Sequence, residues 1–209
     1  AYVTSTGPDV GGSALTPTKY LAVTEIGADQ RRILTAGLDR SVSSPEYSSN
    51  AKDIYFRLED SGMNHFARVR ARGGDIVREV SDEVSVRDFT RSGGSAVLAM
   101  TNADTPTELY NYDDGKLTRL TFLSDESLAS VARAEVKKFR FNSADSTPVE
   151  AFLVKPIGYQ AGTRYPTILW LHGGPASQWA DVRGQPTTAE LSSEFIPAYT
   201  RQTDQDSPT

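Results

Sequence analysis

The sequence predicts two unlike parts: the C-terminal blades of a β-propeller, then the first strands of an α/β domain, closed by a disordered tail. Three observations carry this. Short runs of Val, Ile, Tyr, Phe and Thr, separated by Gly, Asp, Asn and Ser, recur at nearly constant spacing through the first 128 residues. No sustained helical apolar stripe appears before Leu128. An apolar run at 167–171 then ends in His172-Gly173-Gly174-Pro175.

Residues 1–16 are polar and Gly-rich and read as a loop or frayed end. Three hairpins follow. The first joins 20–24 to 32–35 through Gly27-Ala28-Asp29. The second joins 65–69 to 77–80 through Gly73-Gly74-Asp75, and the third joins 108–112 to 117–121 through Asp114-Gly115. With Leu21, Phe66 and Leu109 as equivalent positions, the repeat is 45 and then 43 residues. A four-stranded propeller blade takes ~40–45.

The strands before each hairpin repeat too. Residues 44–47 lead through a polar turn to 54–56, and 86–89 lead through 91–95 to 97–99. Tyr47 and Phe89 are expected to face the neighbouring blade. One four-stranded sheet cannot bury both faces alone, and radial stacking of blades can. Only about two and a half blades are present, against the ~4–8 of a closed propeller, so an incomplete N-terminal side is expected. An ordinary antiparallel sandwich with a chance period is the rival architecture.

Residues 129–180 read as the start of the second domain. Strands are expected at 136–141 and 149–154, and 167–171 reads as a central strand, apolar on both faces, with Trp170 in the core. That strand delivers His172-Gly173-Gly174-Pro175 at its C-terminal end, where α/β sheets place their sites. Residues 181–209 are rich in Gln, Thr, Ser and Asp, with three prolines, and read as disordered.

Composition excludes several classes. The 209 residues carry 22 basic and 27 acidic side chains, a net charge of −5. That balance disfavours nucleic acid as a partner, since phosphates require clustered cations. No apolar run approaches the ~20 residues of a membrane span, so no membrane partner is expected. There is no cysteine, hence no thiolate metal site and no cysteine nucleophile. Only His65 and His172 are available as imidazoles, so neither a metal nor a cofactor is expected. The absence of cysteine permits either cytoplasm or periplasm, and the cytoplasm is the favoured compartment. Oligomeric state is left open.

The chemistry is carried by His172-Gly173-Gly174-Pro175. An apolar strand followed by His-Gly-Gly is the oxyanion-loop signature of α/β-hydrolases. A tetrahedral acyl intermediate places negative charge on the former carbonyl oxygen, and a backbone N–H must point at it. Glycine allows that close approach and proline fixes the loop's exit. A plain strand-ending turn would use the same residues, and the position after an apolar strand favours the hydrolase reading.

With this motif, further residues become specific: Ser43-Ser44-Pro45 with Ile54-Tyr55-Phe56, then Lys137-Lys138-Phe139, then Val154-Lys155-Pro156 with Gly158-Tyr159, then Tyr165-Pro166-Thr167. Together they resemble the prolyl oligopeptidase family of serine peptidases, in particular its acylaminoacyl-peptidase-like branch, over residues 20–175. The resemblance implies a propeller that filters access to an α/β-hydrolase domain. It also implies hydrolysis of short peptides through an acyl-enzyme, with the Gly174 amide in the oxyanion hole.

The departures matter as much. No G-x-S-x-G elbow occurs, and no histidine follows His172, although the triad histidine comes last in this fold. The chain therefore reads as an inactive portion of a serine peptidase, with none of the Ser-Asp-His triad. His172 orients the loop and is not the general base. Trp179 is a candidate lining of the substrate pocket. A disturbed reading frame after Trp179, an early end or a genuine tail would each account for 181–209. The rival function is a non-catalytic propeller that binds peptides or proteins, and a lipase-like esterase sharing the loop is a third. Glu59-Asp60 and Asp113-Asp114 read as solvated turn residues. Arg68, Arg70 and Arg72 read as a solvent face, and His65 as a surface or half-buried residue rather than a ligand.

Overall fold

The structure is a computed structural model that describes residues 1–5, 18–27, 29–81, 83–171 and 178. Antiparallel sheets dominate it. The first has three strands, β1 (Tyr2–Thr4), β2 (Tyr20–Thr24) and β3 (Arg31–Ile33), in that order. The N-terminus is thus not all loop. Tyr2-Val3-Thr4 is β-branched and aromatic text, and it pairs with Ala22, Leu21 and Tyr20.

The second sheet is the meander β4 (Val42–Tyr47), β5 (Asp53–Asp60), β6 (Met63–Arg70) and β7 (Val77–Val80). The third repeats it as β8 (Ser85–Ser92), β9 (Ser95–Thr101), β10 (Glu108–Asp113) and β11 (Lys116–Arg119). Two-residue turns close β5–β6 and β10–β11. Ser61 and Gly62 have φ of 53° and 80°, and Asp114 and Gly115 have 45° and 82°. Both residues of each turn lie in the left-handed region, which matches strand twist and favours glycine at the second position. A single helical turn, α1 (Asp125–Leu128), leads to a separate hairpin of β12 (Val136–Asn142) and β13 (Pro148–Val154).

The sheets stack face to face like blades. Leu21 and Val23 of the first sheet pack on Val42, Ile54, Phe56, Leu58, Ala67 and Val69 of the second. From its other face the second sheet sends Phe66 and Val80 against Val86, Ala96, Leu98, Met100 and Tyr112 of the third. Strand alternation divides β5 in this way: Ile54, Phe56 and Leu58 turn to one neighbour and Tyr55 to the other. Each fully buried Leu, Ile or Phe contributes about 1.5–3 kcal/mol. The equivalence of Phe66 and Leu109 holds in register, since they pair with the matched positions Arg57 and Ala99.

Three expectations need correction. Phe89 does meet the neighbouring blade, its ring edge-on to Phe66 at 4.9 Å. Tyr47 does not, being 41% exposed. Tyr47 pairs with Ile54 where Arg91, not Phe89, pairs with Ala96, so the two aromatics do not hold matching positions, although β4 and β8 carry the same one-residue bulge, after Ser43 and after Val86. Secondly, 167–171 forms no strand. Among the described residues no strand pairs with it, and a run apolar on both faces needs covered faces to stay a strand. Thirdly, Trp170 is accordingly 49% exposed rather than in the core.

Candidate functional site

The β5–β6 turn, the β7–β8 link and the β9–β10 link gather at one end of the stack, and the β12–β13 hairpin lies across them. Between them is a cleft of about 520 Å³, within the range of ligand sites. Its walls include His65, Glu83, Asn102 and Asp104 from the sheets, and Lys138 and Phe152 from the hairpin.

Local chemistry shapes each wall. The Asn102 side-chain oxygen accepts the Asp104 and Thr105 N–H groups at 2.9 and 2.7 Å, a turn that presents Asp104 outward. The Asp104 carboxylate pairs with Arg133, which ties the segment before β12 to this loop. His65 is buried at the cleft, deeper than a surface histidine would lie.

The β12–β13 hairpin meets the second sheet at the Ser61-Gly62 turn. Lys138 Nζ donates to the Ser61 carbonyl at 2.7 Å, and the Ser61 hydroxyl donates to Glu150 at 3.3 Å. Lys138 and Glu150 are themselves 3.4 Å apart, and Arg140 Nε donates to Glu150 at 2.8 Å. Burial works against the charge on Glu150, but Arg140 and Lys138 outweigh it and lower its pKa. Gln178 completes the junction. Its oxygen accepts the Gly62 N–H at 3.1 Å and its Nε2 donates to the Met63 carbonyl at 2.9 Å.

The residues predicted to carry chemistry, His172, Gly173, Gly174, Pro175 and Trp179, lie outside the described residues. So does the tail at 181–209. Gln178, the next described residue after that motif, bonds to Gly62 and to Met63 at the cleft's rim.

Several polar groups differ from their sequence reading. Asp60 is not a solvated turn residue. It accepts Arg40 at 3.0 Å and Arg78 at 2.6 Å, and these bonds lower its pKa although burial opposes it. Asp113 and Asp114 do lie at an exposed turn. Arg68 leaves solvent for the seam between the second and third sheets, where it binds Glu79 and lies 3.6 Å from Asp53. Burial lowers its affinity for the proton, and Glu79 more than restores it. Arg70 pairs with Asp53 at 3.2 Å, and Arg72 is exposed.

Glu108 was not singled out by the sequence. It is 1% exposed and fully bonded: it accepts the Thr121 hydroxyl, and the Ser124 N–H and hydroxyl at 3.0 Å each, with Arg119 at 3.3 Å. The Thr121 bond is the main cause holding its pKa down at about 2. Four partners satisfy this carboxylate, so it fixes the β10–α1 connection rather than serving as an acid or base. Nothing in the local sequence signals it, because its partners lie 13 and 16 residues away.

Among the described residues no His, Asp and Glu group is arranged to hold a metal ion, and no helix is long and apolar enough to cross a membrane.

No protein-family model matches the chain. Individual relatives do. A dipeptidyl-peptidase 5 of Arthroderma otae is 25% identical over 171 residues, which is 78% of this chain and 23% of that protein. A dipeptidyl-peptidase 5 of Porphyromonas endodontalis is 26% identical over 126 residues, 59% of this chain and 18% of its own length. The chain therefore spans about a quarter or less of the curated relatives it matches. Among solved structures, a Pyrococcus horikoshii acylaminoacyl peptidase superimposes with a TM-score of 0.63 at 20% identity, over 78% of this chain and 24% of that one. A Mycobacterium tuberculosis puromycin-hydrolyzing peptidase does so with a TM-score of 0.55 at 13% identity, over 79% and 27%. These likenesses show the fold of the stacked sheets.

Proposed function

We propose that this chain is the propeller–hydrolase junction of a peptidase of the prolyl oligopeptidase family, an enzyme that hydrolyses short peptides; its likeness to dipeptidyl-peptidase 5 proteins and to an acylaminoacyl peptidase supports this reading. Residues 1–128 supply the last propeller blades and 129–180 the start of the α/β-hydrolase domain. Residues 181–209 lie beyond the part that resembles the family.

The observation that carries this reading is the convergence at the cleft. Blade turns form one wall, the β12–β13 hairpin the other, and Gln178, three residues after Pro175, reaches the shared rim. A cleft of about 520 Å³ with mixed polar and apolar walls suits a few residues of extended peptide.

In the reaction, a serine of the complete enzyme attacks the scissile carbonyl. The Gly174 amide stabilises the oxyanion, the amine leaves, and water releases the acyl group. This chain carries the oxyanion loop and none of the triad, so by itself it turns over no substrate.

Reading the parent DNA in all frames beyond the Trp179 codon tests the proposal. A G-x-S-x-G segment, then Asp, then His is expected. Undisturbed coding sequence without that order would overturn the peptidase reading and favour a peptide-binding propeller.

A further inference from the structure

We propose that Gln178 is a positioning residue: its side-chain amide clamps the chain just after the His172–Pro175 motif onto the β5–β6 turn of the propeller. The role in catalysis rests on the peptidase reading above, whereas the clamp itself does not.

The argument begins with the turn. Ser61 and Gly62 both take left-handed backbone, with φ of 53° and 80°, so the two-residue connection is fixed in shape by the β5–β6 ladder on either side. A turn of this kind leaves polar backbone groups facing outward. Here they are occupied by the second part of the chain. The Ser61 carbonyl takes Lys138, while the Gly62 N–H and the Met63 carbonyl take the two ends of one amide.

That last pairing is specific. A primary amide offers one acceptor and one donor side by side, and Gln178 matches them to the N–H of one residue and the C=O of the next. Neither Glu nor Met reproduces both contacts at neutral pH. The carboxylate has no donor for the Met63 carbonyl, and the thioether has neither partner. Glu150 and Lys138 brace the same turn from β13 and β12, so three points of the second part meet one rigid corner of the blade.

The consequence is geometric. An oxyanion donor must lie within a few tenths of an ångström of its place to contribute fully. An anchor three residues beyond Pro175, on a turn held by the β5–β6 ladder, supplies a reference for that backbone. The propeller would then be part of the catalytic frame and not only a filter over it.

Hydrogen exchange of the full 209-residue chain, resolved at the Gly62 amide, tests the clamp. In Q178A the Gly62 N–H should exchange about tenfold faster, the loss of one hydrogen bond, with Val69 at the far end of β6 unchanged. Q178E should expose the Met63 contact at pH 7, so that the turn loosens, and should regain wild-type behaviour near pH ~4, where a protonated carboxyl again donates and accepts. A merely space-filling side chain would show no such recovery. Because the chain has no cysteine, an S61C/Q178C pair also gives a direct proximity test by oxidation or a short bismaleimide, independent of how the alanine variant folds.

Equal Gly62 exchange in wild type and Q178A, with no cross-link, would overturn the clamp and leave the peptidase reading untouched. A protected Gly62 in a gene with no downstream nucleophile would keep the clamp and remove its catalytic meaning. In a parent carrying the triad, Q178A should lower kcat while KM holds. A fall confined to protein yield would overturn the positioning role.

Discussion

The phenol of Tyr112, on β10, donates its hydrogen to the carboxylate of Glu79, on β7 of the neighbouring sheet. Arg68 binds the other oxygen of the same carboxylate. A charged hydrogen bond thus crosses the seam beside the Phe66 ring, which lies 5.5 Å from that of Tyr112.

Tyr112→Phe should lower stability by about 1.5–3 kcal/mol, the range for a bond to a charged group. The same tyrosine should resist alkali. Burial first, then Glu79, raises its pKa above the ordinary 10. A group with a raised folded pKa contributes stability that is whole below its unfolded pKa and is lost as pH climbs toward the folded one. Stability should therefore fall above about pH 10, and an ultraviolet titration should show one phenol ionising only with unfolding. A Tyr112→Phe chain with unchanged alkaline unfolding would contradict this.

Phe66→Ala should cost about 3–5 kcal/mol. The ring is fully buried and touches Tyr55, Phe89 and Tyr112 at 5.3, 4.9 and 5.5 Å, so its removal opens a hole at the centre of the seam. Urea denaturation gives the value. A cost under about 1 kcal/mol would mean that the second and third sheets do not pack as described.

Acid should act through Glu108. Its pKa falls from an ordinary 4.5 to about 2, through the Thr121 hydroxyl and then Ser124 and Arg119, against the opposing effect of burial. A depressed carboxylate contributes stability that is present above the unfolded pKa and lost as pH falls through the folded one. Thermal melts should therefore decline from about pH 4.5 toward 2, and Glu108→Gln should flatten that slope while lowering stability at pH 7. An unchanged slope would remove Glu108 from the acid response.

The far face of the third sheet should bind hydrophobic dye. Leu109 stands where Phe66 stands one repeat earlier, yet Phe66 is fully buried and Leu109 is 42% exposed; Leu120, bonded beside it, is exposed too. Leu109→Ser with Leu120→Ser should reduce dye fluorescence by at least about half and improve solubility. Equal fluorescence in the double variant would locate the dye elsewhere.

Much of the fold was legible because local signals agree with one another. Asp114-Gly115 is turn chemistry between alternating runs, and the repeat of 45 and 43 residues set the equivalence of Phe66 and Leu109 that the register bears out. What escaped is non-local. No residue type announces that Ser44 will take positive φ, or that Tyr47 will match Arg91, two places beyond Phe89. Arg68 alternates as a solvent residue would, but Glu79 on β7 of its own sheet holds it, and Tyr112 of the neighbouring sheet binds that same carboxylate. The 167–171 run has strand composition, and composition supplies no partner strand. At the candidate site, the sequence pointed to His172-Gly173-Gly174-Pro175 and overlooked Gln178. A single amide has no periodicity, and its value appears only against the backbone of a distant turn.

The second sheet, β4 to β7, has a packed neighbour on each face, while the first and third each have one among the described residues. Such a stack comes apart from its ends. Losing an outer sheet breaks one interface, whereas losing the middle one breaks two, so the order of unravelling runs inward and leaves β5 and β6 until last. The turn that joins those two strands is Ser61-Gly62. The β12–β13 hairpin is therefore moored to the place in the stack of sheets that lets go latest.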